Sequence, residues 1–327
     1  HSNGVRVVGI TSETDSPSVG VDAVLPPDVE RVCAALRGGK AAFSTVVPSS
    51  EPDRMPTGRL IAVWAPIGSP GRTSIAVGLA DESARLNVST LLADADTYGP
   101  SIAQQLGLLD DSSGVAAACR LAGHGRLDVA GVAKSAVALP SSLQVLTGIP
   151  RADRWDELRP AALDVLWQQC REVARATVVD VGFCVEHDDL SWLEPGLPSR
   201  NQATTATLAA ADVVVAVTGA DPVALVRFIR DVPAVKALAP TALFEVVVNR
   251  APSGREAMRE VRELLLDHLG MAQLTFVYDA PEPFAACRRS GLTLSEVAPR
   301  AEVRKQIRTL AASLVGVQPP RKRRRAA

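Results

Sequence analysis

The chain has 327 residues, 47% apolar and 22% charged, which is the balance of a folded globular protein and not of a disordered one. Its net charge of -1 argues against a general nucleic-acid coat, and no apolar run approaches the ~20 residues needed to span a bilayer. Aromatics make up only 4%, so Val, Leu, Ile and Ala must build the core; five singly spaced cysteines (Cys33, Cys119, Cys170, Cys184, Cys287) and four histidines argue against zinc and fit buried thiols in a reducing compartment.

In chain order, residues 5–10 (VRVVGI) and 21–25 (VDAVL) read as strands. Asp28 caps a helix to Arg37, with Val29, Val32, Cys33 and Leu36 on one face. Two strands and a helix cannot form an independent core, and residues 1–37 resemble the last third of a receiver-like α/β domain. Because the chain opens on His1 instead of Met, an upstream portion is expected. Residues 38–58, rich in Gly, Ser and Pro, read as a linker.

From residue 59 to 316 a β–α rhythm takes over. Strands are predicted at 59–64, 89–93, 142–146, 176–180, 212–217 and 243–248. Helices fall between and after them at 73–86, 100–107, 159–174, 204–210, 222–235 and 254–268. That alternation implies a mostly parallel sheet covered by helices on both faces, with ligand groups gathered beyond the carboxyl ends of the strands. A last helix, about 301–315, lines up Val303, Ile307, Leu310 and Leu314 as a core-covering stripe. Residues 317–327 form a basic tail with five adjacent cations, Arg321 to Arg325, suited to anionic lipid or DNA phosphate.

Three motifs end predicted strands. The loop Ile67-Gly68-Ser69-Pro70-Gly71-Arg72-Thr73-Ser74 opens onto a helix, where backbone amides can wrap a polyphosphate. In such a loop Thr73 has the hydroxyl expected to reach Mg²⁺, and Ser74 supports the α-phosphate side; an ordinary turn is the other reading. The second motif is Asp94-Ala95-Asp96, two carboxylates astride a strand end. The third is the apolar strand ending in Asp180, followed by Gly182. Further on, a hydrophobic strand ends in Asn249-Arg250, and an amide there can read a purine edge. Trp155 reads as a half-buried cover over a helix.

In this order the motifs bring a family into view. Residues 58 to 315 resemble the MinD/ParA group of deviant-Walker P-loop ATPases, with the actinobacterial septum-site-determining-like and CpaE/TadZ-like pilus-assembly branches the nearest in pattern. The resemblance implies a three-layer P-loop NTPase fold that binds ATP or ADP with Mg²⁺. Gly68, Ser69, Gly71, Arg72, Thr73, Ser74 and Asn249 would then contact nucleotide; Thr73, Asp94 and Asp180 would organise the metal, partly through water; Asp96 and Arg72 would take the catalytic roles. It also implies a cytoplasmic protein, peripheral to the inner face of the membrane, that partners division or pilus machinery and pairs as a homodimer.

Two departures bear on activity. The family's K-G-G-x-G-K-T-[TS] loop has lysines where this chain carries Ile67 and Arg72. Loss of one cation from a phosphoryl-transfer transition state costs about 3 kcal/mol, or about 10²-fold in rate. The expectation is a weak ATPase that organises an assembly in space, or alternatively a non-catalytic scaffold on a degenerate P-loop.

Overall fold

The computed structural model describes residues 8–10, 23–25, 58–68, 71–108, 112–186 and 199–317. The chain divides into two compact units, His1–Met55 and Pro56–Ala327. In the first, β1 (Val8–Ile10) and β2 (Ala23–Leu25) run parallel, with Val8 opposite Ala23. The expected helix at 28–37, the linker up to residue 57 and the basic tail from residue 318 lie outside the described residues, as does Ser69.

The second unit is built on eight strands: β3 (Arg59–Trp64), β4 (Thr90–Ala95), β5 (Val137–Ala138), β6 (Gln144–Leu146), β7 (Ala176–Val181), β8 (Val213–Gly219), β9 (Leu243–Ala251) and β10 (Leu274–Tyr278). They lie in the order β10-β9-β8-β3-β7-β4-β6-β5, parallel throughout except for β5, which pairs antiparallel with β6. The helices that matter for the site are α1 (Arg72–Arg85), α2 (Ile102–Gln105), α3 (Gly114–Gly123), α4 (Val129–Ser135), α5 (Pro160–Val173), α6 (Gln202–Ala210), α7 (Pro222–Leu238), α8 (Arg255–Leu269), α9 (Pro281–Ser290), α10 (Leu294–Val297) and α11 (Glu302–Leu314).

The central strand shows why three layers form. Side chains alternate across a strand, so Leu60, Ala62 and Trp64 of β3 enter one core while Ile61 and Val63 enter the other. The first core packs against Leu163, Leu166 and Trp167 of α5 and Phe228 of α7. The second packs against Ile75 and Leu79 of α1 and Ile307 and Leu310 of α11. A strand covered on both faces loses the polar alternation of a surface strand, and β8 (VVVAVTG) is buried at every position. The predicted stripe Val303, Ile307, Leu310 and Leu314 is buried, so α11 is the covering helix expected of it. It approaches α1 closely: a side chain at Gly78 would place its Cβ 3.0 Å from Ile307.

Several elements were not in the sequence reading. The Ala-rich α3 has few large apolar side chains to mark its buried face, α4 is short, and β5 has only two residues. β10 is a half-buried edge strand. β4 extends two residues past its predicted end, which takes Asp94 into the strand opposite Asp180. Helix α7 runs through Pro233 to Leu238. Among the described residues no helix is long and apolar enough to cross a membrane.

Candidate functional site

β3 runs buried into Ala65 and then reverses through a loop whose Gly68 (φ 73°) and Gly71 (φ 85°) are left-handed. Gly71 caps α1 in a left-handed conformation that other residues adopt only with strain, and an added Cβ would lie 2.3 Å from Nδ2 of Asn249, at the end of β9. Asn249 therefore sits directly against the loop. From α7, Nη1 of Arg227 donates to the Ile67 carbonyl at 3.1 Å and fixes the loop's other shoulder.

Arg72, the first residue of α1, turns toward the sheet. Its Nε donates to Oδ1 of Asp180 at 2.7 Å, and its Nη2 to Oδ2 of Asp96. Thr73 Oγ1 donates to the other Asp180 oxygen at 2.6 Å. The Asp180 side chain is 1% exposed and that of Asp96 5%. Asp94 faces the neighbouring loop instead: Oδ2 accepts from the amides of Ser101 (2.9 Å) and Ile102 (3.0 Å), Oδ1 from that of Asp96 (3.2 Å). Asp96 Oδ1 in turn accepts from the Tyr98 amide at 2.8 Å. One guanidinium thus serves two buried carboxylates, and the third holds the loop after β4.

Burial shapes these charges. It pushes the Asp94 carboxyl up to about 7, with Asp180 adding repulsion. Burial also raises Asp180, opposed by the Arg72 charge and the Thr73 hydroxyl. Burial disfavours the Arg72 cation, but Asp180 and Asp96 outweigh that and raise its pKa.

The mouth of the site is a cleft of about 270 Å³ lined by Ile67, Gly71, Thr73, Ser74, Arg250 and Arg288. Asn249, Tyr278 and Asp279 line an adjoining cleft of about 240 Å³, which Arg250, Arg288 and Ser74 also border. Arg250 is one of three described non-glycine residues with positive φ (50°). Arg288, on α9, went unremarked in the sequence because nothing local ties that helix to the loop of β3. The same holds for the aromatic cluster next to Asp96: the Arg200 guanidinium lies 4.1 Å from the Tyr98 ring, which packs on Phe183, while Tyr98 Oη donates to Asn201. Trp155 sits half-buried in a 3₁₀ turn against the first core, away from these groups. Cys119 and Cys170 are buried, and burial pushes both thiols up to about 12. Among the described residues no cluster of three His, Cys, Asp or Glu side chains has a metal-holding arrangement.

A mostly parallel sheet between two helical layers, with a glycine loop feeding α1 at its carboxyl edge, is the three-layer fold of P-loop nucleoside triphosphatases. Solved structures with this fold include a ParA family ATPase from Chlorobium tepidum, at 18% identity, covering 79% of this chain and 99% of that one with a TM-score of 0.64. The septum site-determining protein MinD from Pyrococcus horikoshii, solved with Mg-ADP, matches at 13% identity over 79% and 96%, TM-score 0.59. The MinC:MinD cell division protein complex of Aquifex aeolicus matches at 17% identity over 81% and 99%, TM-score 0.59. At these identities the likeness is one of fold. No protein-family model and no curated protein sequence matches the chain.

Proposed function

We propose that this chain is a ParA/MinD-like organiser that holds ATP or ADP on its loop, turns it over very slowly, and acts through contacts with a protein partner of division or pilus machinery. The nucleotide half is supported by the loop geometry and by the Mg-ADP bound to the MinD of Pyrococcus horikoshii. Gly68, Ser69, Gly71 and Ser74 would wrap the phosphates, and Asn249 would meet the base. The observation that carries slow turnover is the engagement of Arg72 with Asp96 and Asp180. The two residues assigned to catalysis are bonded to each other, so neither is free to stabilise phosphoryl charge or to position water.

The partner half is supported by an apolar surface beside the loop. Ile67 is 49% exposed, and Val223 and Val226 of α7 are 59% and 64% exposed. Arg227, which follows Val226 on α7, donates a hydrogen bond to the Ile67 carbonyl. A second copy or a partner protein would cover this surface, as MinC accompanies MinD in the Aquifex complex. The basic tail would add attachment to an anionic surface on the cytoplasmic side of the membrane.

Calorimetric titration with ADP and ATP, followed by a phosphate-release assay, tests the reading. It expects saturable binding with turnover about 10²-fold below that of a lysine-containing relative. Turnover equal to such a relative would overturn it, and no heat with either nucleotide would leave the empty scaffold. A fluorescent fusion concentrated at a pole or septum would support the organising role; uniform distribution would remove it.

A further inference from the structure

The fold family places a divalent cation beside the phosphates, and the sequence reading assigned that ion to Thr73, Asp94 and Asp180. The side chains at that position do not fit one. Mg²⁺ demands six oxygens in a near-ideal octahedron, several of them waters, and whether a carboxylate binds the ion directly or through such a water it must offer an oxygen that is open to it. Each Asp180 oxygen already accepts a donor, Arg72 on one side and Thr73 on the other. Asp94 turns both oxygens to backbone amides, and Asp96 divides its own between Arg72 and the amides of Tyr98 and Gly99. A guanidinium already in contact with these carboxylates also repels a second cation.

We infer that the Arg72 guanidinium stands in place of the divalent cation, and that the cleft takes a nucleoside di- or triphosphate without Mg²⁺, its phosphates met by Arg250 and Arg288. The arginine's shape explains its presence. A lysine is a compact point charge, whereas the guanidinium's fork reaches two carboxylates at once, one through Nε and one through Nη2. One cation on two carboxylates leaves excess negative charge beneath the loop, so an anion bound above it needs cations of its own. Arg250 and Arg288 are placed to supply them. Both border the two clefts, and neither guanidinium has a hydrogen-bonded or ion-paired partner among the described residues. The clefts also differ in a way that orients the ligand. Thr73 and Arg72 line the first, while Asn249 and Asp279 line the second, where a carboxylate suits ribose hydroxyls and an amide suits a base.

The second half of this inference rests on the nucleotide reading above; the first half does not. Two measurements on the full chain separate them. In a fluorescent-ADP titration, affinity is expected to stay the same, within about twofold, in EDTA and in millimolar Mg²⁺. The Arg250→Ala, Arg288→Ala double variant should weaken it about tenfold or more. Affinity that tightens tenfold with Mg²⁺ overturns the proposal, and an undiminished double variant overturns the role of the two arginines. Separately, Mn²⁺ binding is read by electron paramagnetic resonance on wild type, Arg72→Gln and Arg72→Ala. Wild type should leave Mn²⁺ free, while removal of the guanidinium creates an ion site and raises the variants' melting temperature in Mn²⁺. Wild type that binds Mn²⁺, or variants that neither bind it nor are stabilised by it, would overturn the substitution of arginine for metal. Should wild type bind no ADP under either condition, the nucleotide reading falls while the Mn²⁺ comparison still decides the role of Arg72.

Discussion

The two ends of α1 solve the same electrostatic problem with opposite charge balance. At the N-terminus the helix carries Arg72, a cation where its dipole disfavours one; near the C-terminus it carries Asp81 and Glu82, anions where the dipole disfavours them. At the first end one arginine serves two carboxylates from β7 and the loop after β4. At the second, two arginines of α11 serve one carboxylate: Arg304 Nε donates to Glu82 at 2.6 Å and Arg308 Nη1 at 3.1 Å. Asp81 is satisfied by Arg85 and by the hydroxyl of Ser295. Both clusters border clefts, the C-terminal one through Arg85, Arg304 and Arg308 and the N-terminal one through Arg72 and Thr73. The difference is in charge: three arginines against two carboxylates latch the helices at the C-terminal end, whereas the N-terminal end keeps negative charge to spare beneath the glycine loop.

Four changes would break or sharpen that contrast. The largest effect is expected from Arg72→Gln, which leaves Asp96 and Asp180 buried without a counter-charge; unfolding in urea should show a loss of about 3–5 kcal/mol in metal-free buffer. Next comes Glu82→Gln. Arg304 and Arg308 keep 18% and 28% exposure and can turn to water, so the cost should be smaller, about 1–3 kcal/mol by the same unfolding measurement. A larger loss for Glu82→Gln than for Arg72→Gln would reverse the assignment of the two ends.

Gly71→Ala should cost about 1–3 kcal/mol, since alanine resists the left-handed backbone and its Cβ must displace Asn249. Its signature is a disproportionate fall in ADP affinity, which an equally destabilising core change would not produce. The last effect is a pH slope. The folded Asp94 carboxyl is raised from the usual 3.8 to about 7, so its contribution to stability is complete below the lower value and is lost as pH climbs to the higher. Within that window the slope is at most about 1.4 kcal/mol per pH unit. Paired denaturation curves should show Asp94→Asn gaining on wild type across it and levelling above; parallel curves would mean that the amides of Ser101 and Ile102 keep Asp94 ionised.

Much of the fold was legible because it rests on local signals. Apolar runs at β3, β7 and β8, the last two rich in valine, and the periodic stripe of α11 announce buried strands and a covering helix wherever they occur in the chain. The gathering of Arg72, Asp96 and Asp180 at one sheet edge was legible for a related reason: each ends a strand or follows one, and parallel strands carry their carboxyl ends to the same side. The weak points were short or edge elements, such as β5 and β10, whose pairing depends on neighbours far along the chain.

The sequence by itself determined the alternating elements, the glycine-bounded loop, the order of the acidic motifs and the absence of lysine at positions 67 and 72. Only the tertiary structure decided where the Arg72 charge goes. A flexible side chain at a helix start can reach outward to an anion or inward to the sheet, and nothing local chooses between them. The choice is made by Asp96 and Asp180, 24 and 108 residues away, which the strand order β3-β7-β4 brings within hydrogen-bonding distance. Once buried there, those carboxylates need a cation far more than water-exposed phosphate contacts do, and among the described residues Arg72 is the cation bonded to them.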